Sequence, residues 1–316
     1  MFNRVTPPPI NTNLEPVASK RSWWRLAFSI LTFLIVVLIL GFLIYQQKEQ
    51  LLSFNWQFDW LFLLFSFLIF GLDLTLVVIV WGWILNSLGK QINFRTHFHY
   101  YCISNIAKRI PGTIWYIASR VSLYNAVGIE LRKTSFASGV EVIISTIASA
   151  IVSLIFAVQI LTDYSISPLF LGGVLLLGAI LIHPRVISIM LRRLNLEITQ
   201  IHYRLIFQWL FAYILIWIIG GILLYMIVNI LYDLPISHLG YVIGSWSLVG
   251  FLSSLLFFSP SNLGVTEVGL SILLSAILPS SIAVVIAIFA RILLIFYEMV
   301  WAGLSYTLRT GRSTPA

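Results

Sequence analysis

Ser259-Pro260-Ser261-Asn262-Leu263-Gly264-Val265-Thr266-Glu267 interrupts hydrophobic sequence, with apolar runs at 246–258 before it and 268–278 after it. A proline, a glycine and several polar side chains thus fall at or near membrane depth. Unpaired backbone groups cost several kcal/mol in lipid, so non-helical backbone persists there only inside protein or beside water. A carboxylate such as Glu267 is also expensive in that setting and marks a functional position by default. The stretch predicts a polar site built inside a bilayer.

The rest of the chain agrees. Of 316 residues, 59% are hydrophobic and 9% charged, against about 25% charged in average soluble domains. Mean hydropathy is +0.98. Too few polar residues remain to cover a water-soluble globule. The expected fold class is all-α: a polytopic membrane helix bundle of about eight membrane segments, some broken or re-entrant. Apolar length places them at 26–45, 60–85, 134–161, 167–183, 205–231, 239–258 and 281–308, with a shorter one at 264–278 between Gly264 and Pro279. Residues 1–25 read as a disordered cytoplasmic tail, 26–308 as one transmembrane domain and 309–316 as a cytoplasmic tail. The run 26–45 is followed by Gln46-Gln47-Lys48-Glu49 rather than a small-residue cleavage site, so it reads as a retained helix.

The formal charge of +8 comes from 19 Lys and Arg against 11 Asp and Glu. The cations cluster in short loops: Arg4 to Arg25, Lys90 to Lys133, Arg185 to Arg204, and Arg309 with Arg312. That is the positive-inside pattern, not a nucleic-acid footprint. If the spans alternate and 264–278 crosses, these clusters share one side and both termini are cytoplasmic, in a plasma or inner membrane. If 264–278 dips in and returns instead, the C-terminus falls outside and breaks the charge rule. The lone Cys102 excludes an intramolecular disulfide and any cysteine metal cluster. His97 and His99 stand two apart and point to different helix faces, and no metal or other cofactor is expected.

A second break lies at Ile110-Pro111-Gly112. Helix-like patterns flank it, so 97–124 reads as a hairpin that re-enters the membrane or lies at its interface; an amphipathic surface helix is the alternative. Two broken elements, one in each half of the chain, are the sequence pointer to a transporter midplane site.

These motifs resemble the flippase-like transmembrane domain family, the membrane region of lysylphosphatidylglycerol synthases and their stand-alone relatives. Asn105 to Gly112, with Trp115 and Arg120, is similar to the family's Lys-Tyr-x-Pro-Gly segment. Glu141 is similar to the glutamate of its third-helix Glu-Arg pair, Ser259 to Glu267 to its Pro-Gly-Gly-x-Gly-x-Arg-Glu motif, and Arg291 to its last-helix arginine. The departures are Ser261 and Asn262 for two glycines, Thr266 for an arginine, and Val142 where the arginine of the pair would stand. The aminoacyl-transfer domain of the full-length synthases is not in this sequence. The resemblance implies lipid handling or translocation rather than lipid aminoacylation.

Residue by residue, Lys108 and Arg109 are cations placed for an anionic phosphate, or members of the positive-inside bias. Glu141 needs a cation, Arg291 or Lys108. Arg291, in mid-span, is expected to meet Glu141 or Glu267 across helices. Glu298 faces either the same site or the cytoplasmic interface. Glu267 reads as a helix-start acid or as a headgroup or proton site. Asn262 either caps the following helix or contacts substrate. Pro111, Gly112, Pro260 and Gly264 shape the breaks. Asp73 is a packing residue or a further buried acid, and Trp115 and Tyr116 read as interface anchors.

The function these readings favour is binding and translocation of an anionic lipid or lipid-linked substrate, with membrane lipid headgroups as partners, no nucleic acid and no enzyme chemistry. Two alternatives stand beside it. One is a non-transporting accessory of a lipid or polysaccharide enzyme. The other is a membrane glycosyltransferase, for which Glu49 and Asp59 are the only outside-loop acids. The sequence has no Gly-x-x-x-x-Gly-Lys-Ser/Thr phosphate loop, so transport would be passive or ion-coupled.

Overall fold

The computed structural model describes residues 56–89, 91–107, 114–163, 167–194, 202–255 and 265–308, together with Tyr45, Glu49, Leu52, Phe54, Ser165 and Leu196. The first expected span, 26–45, and both chain breaks lie outside the described residues, apart from Tyr45.

The described residues form an all-helical bundle. Its elements are α1 (Trp60–Asn86), α2 (Phe94–Ile106), α3 (Ile114–Asn125), α4 (Leu131–Phe156), α5 (Val158–Asp163), α6 (Pro168–Leu181), α7 (Pro184–Arg193), α8 (Tyr203–Leu231), α9 (Leu239–Leu255), α10 (Val265–Leu274) and α11 (Ser280–Leu308). Five helices are long and apolar enough to cross a membrane: α1, α4, α8, α11, and α9 with the 3-10 turn before it. The pair α6–α7, bent by 54°, makes a sixth if it counts as one span.

Contacts fix the directions. At the upper end of the bundle, where α1 begins, the Asp59 amide donates to the Ile230 carbonyl at the end of α8. α1 and α11 run parallel, with Tyr297 against Ser66 and Trp301 against Gly71. α4 runs upward and ends beside the start of α9. There Gly244 lies so close to Phe156 that an added Cβ would come 2.6 Å from its carbonyl oxygen. Small residues of this kind let apolar helices approach backbone to backbone. α4 ends there at Phe156 rather than at the expected 161, and α5 follows Ala157 as a separate short helix.

The expected shorter segment at 264–278 is present as a helix followed by a turn. Its helix, α10, has ten residues, about 15 Å, half of a bilayer core of about 30 Å. It runs antiparallel to α9: Ser253 faces Thr266, Val249 faces Gly269, and Tyr241 Oη donates to the Leu273 carbonyl. α9 and α10 therefore form a hairpin with both outer ends at the upper end, and α11 starts there too. From there α11 runs to the lower end.

α2 and α3 form a second antiparallel hairpin from the lower end. His97 of α2 meets Tyr124 of α3, and Ser104 meets Arg120 deeper in. His99 bonds Ser305 near the end of α11. Gly82 and Asn86 of α1 flank His97. The expected two helices around 110–112 are thus present, packed inside the bundle against α1, α4 and α11.

Candidate functional site

Glu141 sits ten residues above the start of α4, about 15 Å along its axis. The side chain is buried. Its Oε2 accepts from Arg120 Nη1, and its Oε1 accepts from Tyr101 at 2.9 Å and Tyr213 at 3.1 Å. Helices α2, α3 and α8 thus converge on one carboxylate of α4. Arg120 is 0% exposed. Its guanidinium lies 4.2 Å from the ring centroids of both Trp81 and Tyr101, with Tyr116 at 5.5 Å, and its Nε donates to Ser104 Oγ. A charge here is tolerable because it is paired, hydrogen-bonded and stacked on aromatic faces.

A second ion pair lies closer to the upper end. Arg291 Nε stands 3.2 Å from Glu267 Oε1. Glu267 is the third residue of α10, where free amides and the helix dipole favour a carboxylate. Arg291 lies eleven residues from the start of α11, about 16 Å along its axis. Arg120, Glu141 and Glu267 are buried, and Arg291 is partly exposed.

Between the two pairs lies a cavity of about 490 Å³. Seven helices in addition to α3 contribute to its wall, which carries Glu141, Glu267, Arg291, Asp73, Glu298 and Asn105 among apolar and aromatic residues. The hydroxyls of Ser145, Ser253, Ser254 and Thr266 add neutral polar groups. Such a chamber can receive a small polar headgroup while its surroundings stay apolar.

The structure sorts the expected site residues. Glu141, Glu267 and Arg291 share the cavity, and Arg291 pairs with Glu267. Glu141 pairs with Arg120, while Arg291 goes to Glu267. Lys108, Arg109 and Asn262, and the break residues Pro111, Gly112, Pro260 and Gly264, lie outside the described residues. Tyr116, expected as an interface anchor, is buried against Arg120, while Trp115 is exposed. Sequence reasoning missed Arg120, Tyr101 and Tyr213. Arg120 follows a Pro-Gly break and sits in the cation-rich stretch 90–133, so by position it reads as a loop cation. Its place in the motif resemblance and the need of Glu141 for a cation are the signals that point to it.

Apolar spans folded around a cavity that carries charged side chains define a polytopic integral membrane protein. The chain belongs to the family described as lysylphosphatidylglycerol synthase TM region, whose model matches residues 23–301. This confirms the resemblance read from the motifs and associates the protein with lipid metabolism. No curated protein matches the chain.

Proposed function

We propose that this protein translocates a phospholipid or lipid-linked substrate by passing its anionic headgroup through the cavity while the acyl chains stay in lipid. The observation that carries the proposal is the chamber itself: charged and hydroxyl side chains from α1, α4 and α11 and from two antiparallel hairpins that start at opposite ends of an apolar bundle. Crossing a hydrocarbon core of about 30 Å is the barrier for a headgroup, and a protein-lined polar path lowers it. Arg291 receives phosphate by exchanging part of its contact with Glu267, and Lys108 and Arg109 add cations from the α2–α3 hairpin. Four carboxylates on the wall favour a headgroup that also carries hydroxyl or ammonium donors. Both hairpins are read as re-entrant, with their tips inside the membrane.

The lower end is assigned to the cytoplasm. Arg95, Arg132, Lys133, Arg192, Arg193 and Arg204 lie at the lower ends of their helices. The upper-end connections carry Asp59, Asp163, Asp233 and His238, with no Lys or Arg among the described residues. Asp59 caps α1 by accepting from the amides of Leu61 and Phe62. That structural use weighs against the glycosyltransferase alternative.

Reconstituted liposomes with acyl-labelled phospholipids test the proposal by dithionite quenching of outer-leaflet label. Wild type is expected to expose inner-leaflet lipid, and Glu267→Gln and Arg291→Ala to slow it. Equal rates for all three remove those residues from the path. No scrambling by wild type, with an enzyme copurifying, refutes transport in favour of an accessory role.

A further inference from the structure

Asp73 lies on α1 in the cavity wall, flanked by Phe70, Leu74 and Val77 of the same helix. Its Oδ1 is buried and has no hydrogen-bond partner among the described residues. Asn105, across the wall on α2, is 8% exposed, and its Oδ1 is likewise unpartnered. These are two hydrogen-bond acceptors in one chamber, and among the described residues each lacks a donor.

The charged groups around them do not supply one. On α4, Glu141 is held by Arg120 of α3 and by the hydroxyls of Tyr101 (α2) and Tyr213 (α8). On α10, Glu267 is held by Arg291 of α11. Glu298, also on α11, adds a further carboxylate to the wall, and Tyr116 of α3 adds a phenol. Among the described residues, the ion pairs of the two guanidinium groups are with Glu141 and Glu267, and neither is with Asp73. A carboxylate in an apolar enclosure without a cation neutralises rather than paying its desolvation.

We infer that Asp73 is a proton-binding site on the cavity wall, and that headgroup passage is coupled to its loading and release. Loading transfers a proton from hydronium to the Asp73 carboxylate and leaves water. Release breaks the same O–H bond and returns the proton to water, and no other reactant is consumed. The protonated acid can donate to an acceptor in the chamber, Asn105 Oδ1 or a headgroup oxygen, and the ionised one attracts a donor. The coupling half of this inference rests on the translocation reading; the proton site does not.

Infrared difference spectra of the reconstituted protein, recorded across a pH titration in H₂O and D₂O, test the site directly. Wild type is expected to show a deuterium-sensitive carboxylic-acid C=O band that disappears on deprotonation. Asp73→Asn is expected to lose that band, and Asp73→Glu to keep a shifted one. A band unchanged in Asp73→Asn overturns the site. A carboxylate signal that responds to sodium and not to pH also overturns it, in favour of a metal cation. In parallel, lipid scrambling is measured under opposite pH gradients. The rate is expected to differ between gradients for wild type and to become the same for Asp73→Asn. A wild-type rate blind to the gradient, with the band present, overturns the coupling. Absence of scrambling altogether overturns the translocation reading and leaves the infrared result to decide the site.

Discussion

Replacing Glu141 by leucine should be among the most damaging single changes in the protein. It strands a guanidinium that is 0% exposed and removes the acceptor of Tyr101 and Tyr213. Removing one partner of a buried ion pair costs about 3–5 kcal/mol. Arg120→Met should cost a similar amount, because it strands the carboxylate. The double change Arg120→Met with Glu141→Leu should recover much of the loss, since apolar residues of similar volume can replace a buried pair at little cost. The expected coupling is about 2 kcal/mol or more, near the upper part of the range for contacting residues. Arg120→Lys should also be destabilising, because an ammonium cannot stack as a plane between Trp81 and Tyr101. The assay is reversible unfolding in mixed micelles titrated with sodium dodecyl sulfate, read by tryptophan fluorescence. Single-mutant costs that add within about 0.5 kcal/mol would refute the claim that this pair pins the α2–α3 hairpin to α4.

Other outcomes follow from particular contacts. Gly244→Ala should destabilise by about 1–3 kcal/mol, because the new methyl meets the Phe156 backbone rather than a movable side chain. Gly173→Ala on α6 meets nothing within 4 Å and should be neutral or stabilising by up to about 1 kcal/mol; the same unfolding titration compares the two. Tyr297→Phe removes a hydrogen-bond partner from Ser66 and should cost about 1 kcal/mol without slowing scrambling. On a background lacking Cys102, cysteines placed at Glu49 and near Ala316 should report opposite accessibility to an impermeant thiol reagent, if 26–45 crosses and the lower end is cytoplasmic.

The long helices were legible because their signal is simply apolar length, and 60–85, 205–231 and 281–308 agree with α1, α8 and α11 within two residues at each end. The hairpin of α2 and α3 was legible from the Pro-Gly break. The α9–α10 hairpin was half legible: the break was plain, but the sequence does not state that α10 is ten residues long and folds back on α9. Partner choice was harder. Arg291 was expected to meet Glu141 or Glu267, and cross-helix geometry selects Glu267. Arg120 looked like one more loop cation, because burial by the aromatic faces of Trp81, Tyr101 and Tyr116 is a property of the packed state. The cation that pairs with Glu141 comes from another helix, α3.

The central claim is a polar chamber hidden from lipid, and aqueous reactivity tests it most directly. In liposomes, on a Cys102→Ala background, single cysteines at Ser145 and Ser253 should react with a charged, water-borne thiol reagent. Cysteines at Phe211 and Phe296, which are exposed on the outside of the bundle well inside α8 and α11, should stay unreactive. Reaction at the two wall positions, slowed by excess short-chain phospholipid, is the predicted result; wall cysteines as inert as those facing lipid would contradict the account.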